Sequence, residues 1–296
     1  MNALAEIGKV IAEVGERVGA STVGIGNRWR GGSGVVIDKD LVLTSAHNMH
    51  GDEPQVYFAD GREARAKVRG VDHDADLAVL EVDTGDAPAI TWSAGPELKI
   101  GSPVVALADP SGSGRRLTVG FVSSLDRSSR GPRGRALGTM IEHTAALVPG
   151  SSGGPIVDTD GEVRGINTIR LGRGFYGAIA ADKAFLERVG RIGRGDVPSR
   201  RRIGVGIAPP FVANRLRRAV GLPARDGILV RDVEEGSPAA GAGILEGDLI
   251  VEVGGRPIRD VDDMFQAMDS VAAETVVMLT VVRGTEERRV EVTPTA

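Results

Sequence analysis

Gly150-Ser151-Ser152-Gly153-Gly154-Pro155 sets a serine between glycines, directly after Pro149 and directly before the apolar pair Ile156-Val157. A serine hydroxyl is a poor nucleophile at its own pKa. It becomes a good one when a base lies within hydrogen-bond reach and backbone N–H groups point at the oxyanion that forms. Glycines let the chain turn sharply and bring those N–H groups up to a substrate carbonyl. The same stretch fits the G-x-S-x-G elbow of α/β-hydrolases, and chain order separates the two readings. An α/β-hydrolase runs Ser, acid, His. Here all four histidines, His47, His50, His73 and His143, precede Ser152. The order is therefore His, Asp, Ser, as in the chymotrypsin-type double barrel.

That order points to a base and an acid. Leu41-Val42-Leu43-Thr44-Ser45-Ala46-His47 is an apolar strand running into a turn of small residues that ends in His. In Asp72-His73-Asp74-Ala75-Asp76-Leu77-Ala78-Val79-Leu80, Asp76 opens an apolar strand, where a carboxylate can hold an imidazole in one tautomer. Asp72 and Asp74 compete for the role, but only Asp76 directly precedes the strand. A metal pair of His47 and His50, or a site at His73, is disfavoured because no cysteine supports it.

These motifs together resemble the HtrA (Deg) family of serine proteases. Thr44–His47 matches its His segment, Asp76–Leu80 its D-L-A-V-L, and Gly150–Pro155 its G-N-S-G-G-P. Gly32-Ser33-Gly34-Val35-Val36-Ile37 matches its G-S-G strand, and Gly161-Glu162-Val163-Arg164-Gly165-Ile166-Asn167-Thr168 its G-E-V-I-G-I-N-T. Three segments depart from the family, one being its Asn-Pro-Gly, which reads Val148-Pro149-Gly150. Ser151 stands where it has Asn, and its Q-T-D-A reads Glu142-His143-Thr144-Ala145. His143 is expected to make a structural hydrogen bond near the active-site loop, with a pH-sensitive gate as the alternative.

The resemblance implies a mainly β fold: a chymotrypsin-like double β-barrel followed by a small α+β PDZ domain. It implies an N-terminal amphipathic helix over 1–20, a protease domain over 21–190, a basic linker over 191–201 and a PDZ domain over 202–296. His47, Asp76 and Ser152 are the expected catalytic residues, with the N–H groups of Gly150 and Ser152 as oxyanion hole. Ala146, six residues before Ser152, is expected at the base of the S1 pocket with Leu147 and Ile166. No carboxylate stands there, so small or medium aliphatic residues are expected before the cut.

Residues 202–294 carry the PDZ features. Ile203-Gly204-Val205 fits the carboxylate loop, and Ala242–Ile250 matches A-G-L-x-x-G-D-x-I. Ser237 and Asp260 are placed to cap helices. Met264 and Met268 on the second of those helices are expected to wall a peptide groove with Ile203–Val205.

The remaining features set bounds. The 296 residues suffice for two or more domains, 41% are apolar, and 42 glycines suit many short strands. Apolar runs such as Val35–Ile37, Val56–Phe58, Leu77–Val82 and Val104–Leu107 alternate with turn residues. There is no cysteine, so no disulfide framework is expected. A net charge of −4 argues against a general nucleic-acid binder, and no cofactor is implied. No apolar run reaches the length of a membrane span and no leader is evident, so the face-value location is cytoplasmic, although most of the family works elsewhere. Leu4, Ile7, Val10, Ile11, Val14 and Val18 recur at helical spacing. That helix is expected to pack on the barrel, or to serve as the arm of a homotrimer. The implied partners are unfolded or damaged proteins, and C-terminal peptides at the PDZ domain. A client-holding module without activity, and an esterase on the same barrel, are the alternatives.

Overall fold

The computed structural model describes residues 2–27, 30–49, 53–93, 97–130, 136–196, 201–271 and 275–295. His50 and linker residues 197–200 lie outside them. The chain divides into two units, Met1–Val197 and Pro198–Ala296.

The first unit opens with α1 (Ala3–Gly19), capped by Asn2, whose side chain accepts from the Leu4 N–H. Seven strands follow: β1 (Thr22–Asn27), β2 (Arg30–Asp38), β3 (Leu41–Thr44), β4 (Gln55–Tyr57), β5 (Glu63–Arg65), β6 (Lys67–Asp72) and β7 (Leu77–Glu81). They form an antiparallel sheet in the order β5-β4-β1-β2-β3-β7-β6. Its two edge strands, β5 and β6, are joined through Ala66 alone, so the sheet must curl round on itself. Six further strands close a second barrel in the order β10-β13-β12-β11-β8-β9. They are β8 (Pro103–Ala108), β9 (Arg116–Arg130), β10 (Ala136–His143), β11 (Pro155–Val157), β12 (Val163–Gly172) and β13 (Phe175–Ala180). The chain then enters α2 (Lys183–Gly193).

Packing explains the apolar runs. Successive residues of a strand point to opposite faces. Val36, Val42 and Leu80 fill the first barrel with Val23, Ile25 and Val56. Their neighbours Val35, Leu43 and Val79 join a larger core with Val105, Leu107, Val157 and Ile166 of the second barrel. Strands buried on both faces lose the apolar–polar alternation that marks a half-exposed one.

The two helices differ from expectation in opposite ways. Only the C-terminal half of α1 is packed, where Val14 and Val18 enter the core. Leu4 and Ile7 are 75% and 55% exposed. The second helix runs on to Gly193, into the expected 191–201 linker, so Arg191 is a helical residue. Two glycines cost a helix roughly 1–2 kcal/mol together. Burying Ile192 beside Phe185 and Val189 returns roughly 1.5–3 kcal/mol.

The second unit contains β14 (Val205–Ala208), α3 (Pro210–Ala219), β15 (Ile228–Val233), α4 (Pro238–Gly241), β16 (Leu249–Val253), β17 (Arg256–Pro257), α5 (Val261–Asp269), β18 (Val277–Arg283) and β19 (Glu286–Val292). Its sheet runs β14-β15-β16-β18-β19, leaving β14 at an edge. Ser237 and Asp260 cap α4 and α5 by accepting from Ala240 N–H and Asp263 N–H. Buried Asp248 holds Arg283 of β18 through two hydrogen bonds of 2.7 and 2.8 Å.

Candidate active site

β3 ends in a single turn of 3₁₀ helix, Ala46–Asn48, which presents His47. The β6–β7 turn presents Asp76. Asp72 builds that turn by accepting from the Asp74 and Ala75 N–H groups, which sets it apart from Asp76 in role. Asp76 is 1% exposed and takes a left-handed φ of +55°, a conformation that costs a non-glycine residue energy. Its carboxylate accepts from three sides. His47 Nδ1 lies 2.9 and 2.8 Å from its two oxygens, the His47 N–H donates at 3.0 Å, and Thr168 Oγ1 donates at 2.5 Å. A carboxylate accepts only, so Nδ1 carries the proton and Nε2 is left as the free base.

Ser152 lies in the loop before β11. Its Oγ donates to the Thr168 carbonyl at 3.0 Å, and among the described residues no hydrogen bond joins it to His47. The Ser152 carbonyl is held by the Ser33 N–H and by Asn48 Nδ2, each at 2.9 Å. Ser33 Oγ donates at 2.9 Å to the carbonyl of Gly150, which has φ +86°. These anchors turn the loop so that the Gly150 and Ser152 N–H groups donate to no described residue. Ser33, Asn48 and Thr168 are the site residues that motif reading left without a role. Ser33 and Thr168 stood inside matched motifs, and Asn48 directly follows His47.

The proposed pocket residues separate. Ala146 and Leu147 line a cavity of about 240 Å³ with Leu107, Leu117, Val148, Ser151 and Arg116, and among the described residues no carboxylate faces it. Ile166 is not there: it is fully buried in the core between the barrels, paired with Pro155 of β11. Glu142 is buried and tied to Ser123 Oγ at 2.8 Å.

His143 is fully buried at the end of β10, and burial lowers its pKa from the usual 6.5 to about 4. An unfolded histidine still titrates near 6.5. Between these values the unfolded chain binds a proton that the folded chain refuses. Stability is therefore whole above about pH 6.5 and falls as pH drops toward 4, by roughly 3 kcal/mol. Urea unfolding from pH 7 to pH 4 is expected to show this loss in the wild type and to lack it in His143→Gln.

A trypsin-like peptidase domain model matches residues 32–166, and a PDZ domain model matches residues 229–283. The probable periplasmic serine endoprotease DegP-like of Halomonas elongata is 35% identical over 269 residues, 88% of this chain and 56% of the relative. The mitochondrial serine protease HTRA2 of Drosophila virilis is 32% identical over 282 residues, 89% of this chain and 66% of the relative. The chain thus spans between about half and two thirds of the length of these curated relatives. A solved HtrA-type protease, AlgW with a decapeptide, superposes with a TM-score of 0.65 at 25% identity, covering 96% of this chain and 98% of its own. The serine endoprotease from Yersinia pestis gives 0.64 at 27% identity, covering 96% and 97%. The chain belongs to the HtrA family. Among its described residues no helix is long and apolar enough to cross a membrane.

As an HtrA protein it carries its PDZ features in the second unit. Gly204 has φ +77°, and its carbonyl accepts from the Glu234 N–H, while the Ile203 carbonyl accepts from Ala239 N–H. The N–H groups of Ile203 and Gly204 donate to no described residue, and the edge strand β14 begins at Val205. Met264 and Met268 are each only 4% exposed and pack in the core with Ile203. They do not wall an open groove, because the apolar stripe of α5 sits down on the sheet.

Proposed function

We propose that this chain is a serine endopeptidase acting through an acyl-enzyme on unfolded or damaged proteins. The observation that carries the reading is the Thr168–Asp76–His47 hydrogen-bond array, set beside a serine whose loop leaves two N–H groups unspent. Ser152 Oγ turns from the Thr168 carbonyl toward His47 and attacks the substrate carbonyl. His47 Nε2 takes the hydroxyl proton and passes it to the leaving amine, while Asp76 and Thr168 hold the ring and stabilise the imidazolium. The Gly150 and Ser152 N–H groups receive the oxyanion, each such donor being worth about 2.7–4 kcal/mol. Water then releases the acyl group by the same route.

Further elements follow from this reading. Residues 21–190 form the protease domain and residues 202–296 the PDZ domain. The exposed Leu4, Ile7 and Val10 of α1 suit burial in a homotrimer. Labelling of Ser152 by a fluorophosphonate, and cleavage of unfolded casein with mass spectrometry of the cut sites, tests the reading. A chain that labels but cleaves only small esters is an esterase, and one that binds casein without labelling is a holding module.

Among the described residues, the cavity at Ala146 and Leu147 has no carboxylate that could pair a buried Lys or Arg, and Arg116 lines it. Cut sites are expected to follow Val, Ala, Ile or Leu. The preference is moderate, since one methylene is worth about 1–3 kcal/mol. A profile dominated by Lys and Arg refutes the assignment.

At the PDZ domain, the Ile203 and Gly204 N–H groups receive a C-terminal carboxylate while the peptide adds to β14 as a strand. Apolar peptides with a free C-terminus are expected to bind in fluorescence anisotropy. Equal binding of the C-terminally amidated peptide removes these N–H groups from the role.

A further inference from the structure

We propose that His143 is a positioning residue for the nucleophile loop, acting through the side-chain amide of Asn167. The inference rests on the endopeptidase reading and names a part of its machinery.

The His143 ring is fully buried, and its Nε2 lies 2.9 Å from Asn167 Oδ1. The direction of this bond follows from the far end of the amide. Asn167 Nδ2 donates to the Gly154 and Pro155 carbonyls at 3.1 and 3.2 Å, so its oxygen is the atom turned to the ring. His143 must therefore donate, and its neutral Nε2–H tautomer is the one that fits. The Asn167 backbone adds two bonds to the same segment: its N–H donates to the Gly154 carbonyl at 2.9 Å, and its carbonyl accepts from the Gly153 N–H at 2.8 Å. Asn167 thus grips Gly153–Pro155, the residues directly after Ser152, through four hydrogen bonds. The next residue, Thr168, touches both Asp76 and Ser152. A turn of the Asn167 amide would reach the nucleophile from two directions.

The other ring nitrogen argues that the imidazole is there for its donor. Nδ1 is buried and, among the described residues, has no hydrogen-bond partner. An apolar side chain would fill the same space without leaving an acceptor unsatisfied. Each packed element presents a different group to the ring. From β13, Tyr176 stacks on it with ring centroids 6.0 Å apart. From β12 comes Asn167, and on β10 the adjacent Glu142 carboxylate is engaged by Ser123 of β9. The ring therefore stays neutral through the working range, holding a fixed N–H toward Asn167.

The test compares wild type, His143→Phe, which keeps a ring and deletes the donor, and His143→Gln, whose Nε2 can replace the histidine Nε2. Fluorophosphonate labelling of Ser152 and peptide kinetics are measured at neutral pH. His143→Phe is expected to lose about 100-fold in labelling rate and kcat, the cost of a loop misplaced by about an ångström. KM should change little, and His143→Gln should recover most of the loss. A folded His143→Phe that labels as fast as wild type overturns the proposal, as does a loss that His143→Gln does not repair. Should His143→Phe fail to fold, ¹⁵N NMR of the wild-type imidazole decides. A protonated Nε2 with a bare Nδ1 supports the proposal, and the opposite tautomer overturns it. Absence of labelling in the wild type itself is distinguishable from these results, and it sinks the endopeptidase reading together with this one.

Discussion

Ser152→Ala is expected to abolish casein cleavage and fluorophosphonate labelling while leaving the unfolding midpoint close to that of the wild type. His47→Ala should do the same. The loss should reach about 10⁶-fold in kcat, because the nucleophile and its base act as a unit. For that reason the double variant should be hardly slower than either single one. The expectation of an intact fold rests on position. Ser152 sits in a loop, its side chain hydrogen-bonded among the described residues to the Thr168 carbonyl, and His47 is exposed. Asp76 differs, since it is 1% exposed and gathers bonds from His47 and Thr168. Removing its carboxylate disturbs packing as well as chemistry, which makes it the poorer test. Undiminished cleavage by Ser152→Ala ends the assignment.

Gly153→Ala is expected to be the most damaging single methyl addition near the site. Gly153 has φ +88°, and a Cβ there would stand 2.0 Å from the Ser33 carbonyl oxygen and 2.7 Å from Thr44 Oγ1. Neither neighbour can yield. Ser33 lies inside β2, paired with Gly24 of β1, and its carbonyl already accepts from Thr44 Oγ1 at 2.7 Å. Overpacking and a left-handed backbone together cost roughly 2–5 kcal/mol. The methyl group also pushes the loop away from β2, so cleavage should disappear along with the stability. Gly174→Ala is the control. Gly174 has φ +79° but nothing within 4 Å of the added carbon, so only the backbone term of about 1–2 kcal/mol applies. Urea midpoints of the two variants separate the clash from the dihedral. Equal losses would mean that β2 yields to the methyl group after all.

Much of this molecule is legible in its sequence, and the part that is not has a common cause. Chain order alone excluded the α/β-hydrolase reading, because no histidine follows Ser152. The edge position of Asp76 singled it out, and the structure brings it within 2.8 Å of His47. The helix caps at Ser237 and Asp260 were readable because a cap acts over three residues. Long-range partners were not. Ile166 reads as well for a pocket wall as for a core residue, and only the stacking of the two barrels buries it. The expected linker start at 191 falls inside a helix, which runs on to Gly193 because Ile192 has somewhere to pack. Met264 and Met268 read as groove residues, and only the seating of α5 on its sheet puts them in the core.

Ser33 and Gly150 lie 117 positions apart, yet their hydrogen bond shapes the loop. His143 and Asn167 meet only because β10 and β12 flank β13 in one closed barrel. The sequence by itself determined which chemistry is present and in what order, since residue types and local turns are short-range properties. Which side chains hold that chemistry in place was decided by the tertiary structure, because hydrogen bonds and packing depend on distance in space.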